Sequence, residues 1–314
     1  MKKYIGVLLG LLSIGTITAQ EFNLPIQNQY IADNPYLISS AYAGIGECWQ
    51  LRVGGFEQWI GVEDAPSTQS VSIDGRISDR SGVGAIIFND KNGFTTQRGI
   101  QLSFAHHVTL NDYNNQYLSF GASYKFSQFG IDTSEFNRDL LDPTIRGDLS
   151  VNNSNFDISA LYRFGKFFLS VNAVNLLQKE IIEFNLEEPS IIQNWFVYSG
   201  YTFNSVFSEL EIEPSVLYQN FPSDGRSTAD LTLKVRKVNK TNYFWGGAMV
   251  RGIVDQDFKP LSVSPMVGVK KGNLYFAYGY QINVNEIIPA SSGSHLITLG
   301  FDFGCRLSNC GCTY

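Results

Sequence analysis

The chain has 314 residues, a net charge of -6 and a pI near 5.1. That acidic balance leaves no basic face for a nucleic acid and excludes that class of partner. Aromatic residues make up 14% and charged residues only 17%, yet mean hydropathy is -0.07. Such numbers fit strict alternation of apolar and polar residues better than membrane helices.

Taken in chain order, Met1, Lys2 and Lys3 form a basic start, Ile5 to Leu12 a short apolar core, and Thr18-Ala19 a small-residue cleavage site. Residues 1–19 therefore read as a secretory signal peptide; the apolar core is too short for a membrane span, which needs about 20 residues. No later apolar run approaches that length, so a mature chain in a membrane must cross it as a closed barrel. Residues 20–47 read as an ordered non-strand segment at the periplasmic mouth or inside the lumen. Asn34-Pro35 enforces an extended or turn conformation there, and Ala41 to Gly46 is small enough for close backbone packing.

From residue 48 onward the pattern has period two. Leu118, Phe120, Ala122, Tyr124 and Phe126 share one face of a strand, with Ser119, Gly121, Ser123 and Lys125 on the other. Phe156, Ile158, Ala160, Tyr162 and Phe164 repeat the apolar side, as do Leu261, Val263, Pro265, Val267 and Val269, and later Ile297, Leu299, Phe301 and Phe303. About fourteen such runs begin near residues 48, 68, 83, 99, 116, 155, 167, 194, 210, 227, 242, 260, 274 and 294, each about ten residues long, as a tilted spanning strand requires. Asp79 to Gly82, Gly165-Lys166, Val238 to Thr241 and Lys271 to Asn273 are tight turns, while Ser127 to Ser154 and Leu176 to Gln193 are long connections. The expected fold is all-β: a transmembrane antiparallel β-barrel over residues 48–304, with periplasmic termini, long extracellular loops and a Cys-containing periplasmic tail at 305–314. A soluble sandwich or lipocalin-like barrel also alternates, but the outward aromatics and the loop asymmetry speak against it. Thr298, Gly300, Phe303 and Cys305 approximate the ending that barrel-assembly machinery recognises.

The stretch from Gln27 to Ser78 carries Tyr30, Asn34-Pro35, Ala41-Tyr42-Ala43-Gly44, Arg52, Gln58-Trp59-Ile60-Gly61, Ala65-Pro66-Ser67-Thr68 and Ile73-Asp74. This resembles the opening of the PorP/SprF family of outer-membrane proteins of the type IX secretion system of Bacteroidetes. The family commonly has Asn-Pro-Ala before its Ala-Gly step, where this chain has Ser39-Ser40-Ala41. The resemblance implies a barrel that works with other type IX secretion components. It also implies a partner, a secreted adhesin with a type IX C-terminal sorting module, whose export and surface attachment the barrel supports. Asn34, Pro35, Ala43, Gly44, Arg52, Gln58, Trp59, Gly61, Pro66 and Asp74 carry the motif; physically, Trp59 suits an interfacial aromatic girdle in contact with outer-membrane lipid.

Enzyme chemistry is not expected, nor is a metal or cofactor. His106 and His107 are adjacent on a strand and point to opposite faces, and His295 stands alone near a strand start. Asn89 to Gly93 lacks the terminal Glu of a calcium loop and reads as an Asn-Gly turn. Glu211 and Glu213 should face Arg236 and Lys234 across a hairpin, pointing into a polar lumen whose water would solvate Glu213 if Lys234 were lost. Four cysteines in an exported chain suggest disulfides, with Cys48 pairing either with Cys305 or with Cys310 or Cys312. Phe129, Ile131, Phe136, Leu140 and Leu141 in one long loop, and Ile181, Ile182, Phe184, Ile191 and Ile192 in the other, form an apolar partner surface or else fold inward as a lumen plug. The competing function is a passive porin or hydrophobic-solute transporter.

Overall fold

The computed structural model describes residues 28–132, 149–177, 193–204, 209–222, 225–239, 241–256, 258–284 and 292–305. Fourteen antiparallel strands form one closed barrel. They are β1 Trp49–Glu57, β2 Ser67–Ser78, β3 Ser81–Asn92, β4 Thr95–Asn111, β5 Gln116–Ile131, β6 Leu149–Phe164 and β7 Phe167–Val174. There follow β8 Asn194–Tyr201, prolonged by the short piece Phe203–Asn204, then β9 Leu210–Phe221, β10 Arg226–Asn239, β11 Asn242–Ile253, β12 Lys259–Lys271, β13 Leu274–Asn283 and β14 Ser294–Phe303. Each strand pairs with its sequence neighbours, and β14 returns to β1 from Trp49↔Phe303 to Glu57↔His295. Closure leaves no sheet edge, the one way a sheet can satisfy its backbone in hydrocarbon.

The outward set is apolar, and its exposure tells what surrounds it. Ile87 and Phe244 are each 57% exposed and Leu299 is 53%. A contiguous belt of such side chains is untenable in water and natural against lipid. No helix among the described residues is long and apolar enough to cross a membrane; the strands do the crossing.

One end of the barrel carries the turns near residues 79–80, 112–115, 165–166, 241 and 272–273, together with a disulfide between Cys48 and Cys305. The other end carries the longer connections, but not without exception: the β9–β10 hairpin joins Phe221 to Arg226 by four residues. Gly93, at φ 59°, closes the tight β3–β4 turn on that end, so the alternation of short and long connections is not strict. The sequence reading also missed the turn at 112–115 and set the long loop too wide. Residues 127–131 and 149–154 are strand: β4, β5 and β6 have 17, 16 and 16 residues, against 8 each for β7 and β8. Their outward residues turn polar past Phe126 while the backbone pairing continues, and period-two hydrophobicity therefore stops before the strand does. Phe129 and Ile131 consequently lie on β5. Phe129 points inward and is buried, facing Gln97 and Val151, and so contributes nothing to an exposed loop.

The first described segment, residues 28–47, is not strand. It runs through three short 3-10 turns, Asn28–Ile31, Pro35–Leu37 and Ser40–Tyr42, and is almost wholly buried inside the barrel. Its apolar residues Tyr30, Ile31, Ala32 and Ile38 pack with inward-facing Phe56, Leu217, Trp245, Met249, Met266 and Leu296. The lumen wall from β8 round to β1 is therefore mixed: these apolar residues stand among the inward-facing polar residues Asp230, Lys234 and Asp302, and the internal segment covers both kinds.

The disulfide fastens the point where the internal segment enters β1 to the end of the last strand, across a sequence separation of 257 residues. A cross-link of that span limits the unfolded chain strongly. We predict that Cys48→Ser lowers barrel stability by about 2–4 kcal/mol, read as a lower temperature for the folded-to-unfolded mobility shift on gels. Wild type treated with reductant should match the variant. An unchanged transition in both would show that strand pairing alone sets the stability of the seam.

Candidate functional site

The site is the plugged lumen, and it is built around Asp33. This residue adopts a left-handed conformation, φ 52°, between the first two 3-10 turns. Arg236 Nη2 donates to its Oδ1 at 3.0 Å, Tyr243 Oη donates to its Oδ2 at 2.8 Å, and Lys234 Nζ forms an ion pair with it. Lys234 also donates to the Ile31 carbonyl at 3.1 Å and lies 4.2 Å from the Trp245 ring centroid. Burial alone would push the Asp33 carboxyl up; the Lys234 and Arg236 cations and their hydrogen bonds outweigh it and hold the group well below the usual carboxylate range.

The charge pairs expected from the hairpin divide. Register sets Glu211 opposite Arg236 and Glu213 opposite Lys234. Glu211 does meet Arg236, at 3.2 Å. Lys234 instead turns to Asp33, and Glu213 accepts a hydrogen bond from Thr202 Oγ1 at 3.2 Å. Hairpin register could not foresee this, because the stronger acceptor arrives from a segment 201 residues away in sequence. Lys234 itself is buried, at 4% exposure.

Polar contacts fix the plug all round the wall. Tyr30 Oη donates to Asp230 at 3.1 Å, a carboxylate that also takes a two-bond grip from Arg251 at 2.6 and 2.7 Å. Tyr36 Oη donates to Ser103 at 2.9 Å, the Ala41 amide to Ser159 Oγ at 2.8 Å, and Ser170 Oγ to Ser39 at 3.0 Å. Two wall glycines make the approach possible: a Cβ on Gly82 would lie 2.1 Å from the Ala43 carbonyl oxygen, and one on Gly121 would lie 2.3 Å from the Ala41 nitrogen.

The motif residues fall into three groups. Asn34, Pro35, Ala43, Gly44 and Asp74 belong to the docking of the plug: Asn34 Nδ2 donates to Ser72 at 2.9 Å, the Gly44 amide to Asp74 at 3.0 Å, and the Ala43 carbonyl meets His107 Nε2 at 3.1 Å. Arg52 reaches across the seam to Asp302 at 2.7 Å, where Lys270 also binds. Gln58, Trp59, Gly61 and Pro66 form the β1–β2 turn at the opposite end. There the Gln58 amide donates to the Pro66 carbonyl at 2.9 Å, Ile60 to the Gly293 carbonyl at 2.8 Å, and the Trp59 amide to Ser294 Oγ. Trp59 and Gly61 both have positive φ, 46° and 97°. Trp59 thus stands in a turn past the end of β1. His107 is fully buried beside Ser119, whereas His106 faces outward.

Phe136, Leu140, Leu141, Ile181, Ile182, Phe184, Ile191, Ile192, Cys310 and Cys312 lie outside the described residues. Among the described residues no group of His, Cys, Asp and Glu could hold a metal ion. Asp33, Tyr243, Asp230 and Arg251 were missed by sequence reasoning. No spacing links them; only the fold does.

Residues 19–301 match the family model of the type IX secretion system membrane protein PorP/SprF. The chain belongs to that family. No curated protein sequence matches it. Among solved structures, the Ralstonia pickettii toluene transporter TbuX aligns with TM-score 0.50 at 12% identity, over 94% of this chain and 100% of that one. A Pseudomonas aeruginosa FadL homologue aligns with TM-score 0.48 at 11% identity, over 81% and 90%. Acinetobacter baumannii Omp33 gives 0.48 at 9%, over 82% and 100%. The likeness to TbuX is one of fold. This PorP/SprF barrel is an integral protein of the outer membrane, with the disulfide end periplasmic and the longer loops extracellular.

Removing Asp33 leaves Lys234 buried without its carboxylate, which typically costs about 3–5 kcal/mol. We therefore expect Asp33→Asn to release the plug while the barrel stays folded, read as new protease cleavage within residues 28–47. Because the folded carboxyl is depressed, its contribution is complete above the ordinary carboxylate pKa of about 4. It is lost only as pH falls through the lower, folded value. Wild type should thus resist cleavage down to about pH 4. Cleavage that appears in wild type near that pH, or never in the variant, would contradict this account.

Proposed function

We propose that this barrel supports the export and cell-surface attachment of a cognate secreted adhesin carrying a type IX sorting module, and that it engages the adhesin at its extracellular end. The observation that carries this reading is a PorP/SprF match running through almost the whole barrel, joined to a lumen closed by the chain's own residues. The cavities bordering the plug measure about 50 and 220 Å³. Passage of solutes would require the plug to leave.

The extracellular end offers a fitting platform. β4, β5 and β6 rise past the apolar belt, and β6 pairs with β7 only from Ile158 onward. Toward the loops, Asn155 and Phe156 bond the short segment Leu176–Leu177 instead. Rigid strands bearing long connections are where partner binding concentrates, and a raised strand of this kind can accept a partner's backbone. The competing reading, a passive porin or hydrophobic-solute transporter, has the fold likeness to TbuX behind it, and that likeness concerns fold alone.

Replacing residues 133–148 with a short Gly-Ser turn tests the choice. The expected result is a folded barrel whose cells lose the adhesin from their surface, while the purified protein still gives no liposome swelling with small sugars. Deleting residues 28–47 should, in contrast, produce swelling. A shortened barrel that keeps its adhesin and becomes permeable would overturn the proposal in favour of a plug formed by that loop.

A further inference from the structure

The apolar belt ends abruptly on β2 to β5. Across their outward faces Val71, Ile87, Ile100 and Phe126 stand side by side in register, and the next outward row toward the extracellular end is Gln69, Asn89, Arg98 and Gln128. A change from four apolar to four polar side chains over one row marks the level at which acyl chains give way to headgroups. An open groove of about 570 Å³ lies on this boundary, with the apolar row and Arg98 among its lining.

Arg98 differs from the arginines inside the barrel. Arg52, Arg236 and Arg251 each meet a carboxylate. Arg98 is exposed and, among the described residues, forms no ion pair. Its Nε donates to Asn89 Oδ1 at 3.0 Å, and Asn89 Nδ2 donates in turn to Gln69 at 2.8 Å. This amide ladder orients the guanidinium through one nitrogen and leaves both Nη groups for another acceptor. Lys91, one row further out, is already occupied by Asp64 at 3.4 Å. The remaining donors of a guanidinium form a planar fork that suits two oxygens of one phosphate.

We infer that this groove binds a phosphate-bearing lipid of the outer leaflet, its phosphate on Arg98 and one acyl chain along Val71, Ile87, Ile100 and Phe126. The occupant is a lipid rather than free phosphate because the groove's floor is apolar and continuous with the membrane belt; inorganic phosphate would leave that floor uncovered. The site stands on the outer wall, away from the plug, and does not depend on the adhesin reading.

Native mass spectrometry of the purified full-length barrel, titrated with lipid A and with its dephosphorylated form, tests this. The first bound lipid should be retained at least about tenfold more tightly when phosphorylated, a difference of about 1.4 kcal/mol. Arg98→Gln should reduce phosphorylated lipid to the dephosphorylated level. Ile100→Trp, which fills the groove and keeps the guanidinium, should weaken both forms. Gel mobility of the unheated proteins checks folding; because Arg98 touches no lumen residue, that variant decides the matter alone if Ile100→Trp does not fold. Equal retention of both lipids by wild type, or unchanged retention by Arg98→Gln, overturns the proposal. Displacement of the lipid by excess inorganic phosphate would reveal a simple anion site and overturn it equally.

Discussion

A sheet immersed in hydrocarbon cannot leave an edge unpaired, and everything else in this molecule follows from the closure of β14 on β1. Nine residue pairs make that seam, and further contacts reinforce it at both ends. Near the periplasm Arg52 and Lys270 converge on Asp302. Beyond the other end, the β1–β2 turn exchanges backbone hydrogen bonds with residues 292 and 293. The disulfide adds a covalent fastening where the chain enters the first strand. Once closed, fourteen strands enclose more space than their own inward side chains fill, so the lumen poses a second problem of packing and charge.

The N-terminal segment answers it. Inward-facing Lys234 and Arg236 would be costly without counter-charge in so enclosed a place, and Asp33 supplies it, its second oxygen accepting from the Tyr243 hydroxyl. On the same stretch of wall the segment also offers Tyr30, Ile31 and Ile38 to Leu217, Trp245 and Met249. The plug therefore matches charge and apolar area together, and a shift of one residue would separate Asp33 from its cations while exposing apolar wall. Burial of this kind sets position more than it adds stability. The close approaches at Gly82 and Gly121 narrow the choice further, since any side chain there would collide with the plug backbone.

How much of this the sequence disclosed depends on whether the interaction is local. Strand number and most strand starts follow from alternation, because burial on one face repeats every two residues. The register of the β9–β10 hairpin follows too, as a short connection ties residues that sum to nearly the same number. Alternation fails where the outward residues leave lipid: Gln128 and Ser150 look like loop, yet they are paired strand. The lumen was least readable. Lys234 was assigned to Glu213 by register, but its partner comes from the other end of the chain. The motif around Asn34, Gly44, Arg52 and Asp74 was visible as a pattern. Its physical meaning, plug docking and seam closure, needed coordinates, because each contact joins residues far apart in sequence.

The distribution of strand length bears on where the function resides. A channel gains nothing from strands that continue past the membrane, yet β4, β5 and β6 do so, at about twice the length of β7 and β8. Their inward residues at that height, such as Phe129 and Val151, remain buried, so the extension is a packed structure and not a frayed end. Meanwhile the interior, where a channel would keep its path open, holds the N-terminal segment, ion-paired to the wall through Asp33. Rigidity has been placed at the surface and obstruction in the pore. Both suit the partners proposed above, a protein at the extracellular end and a lipid along the wall.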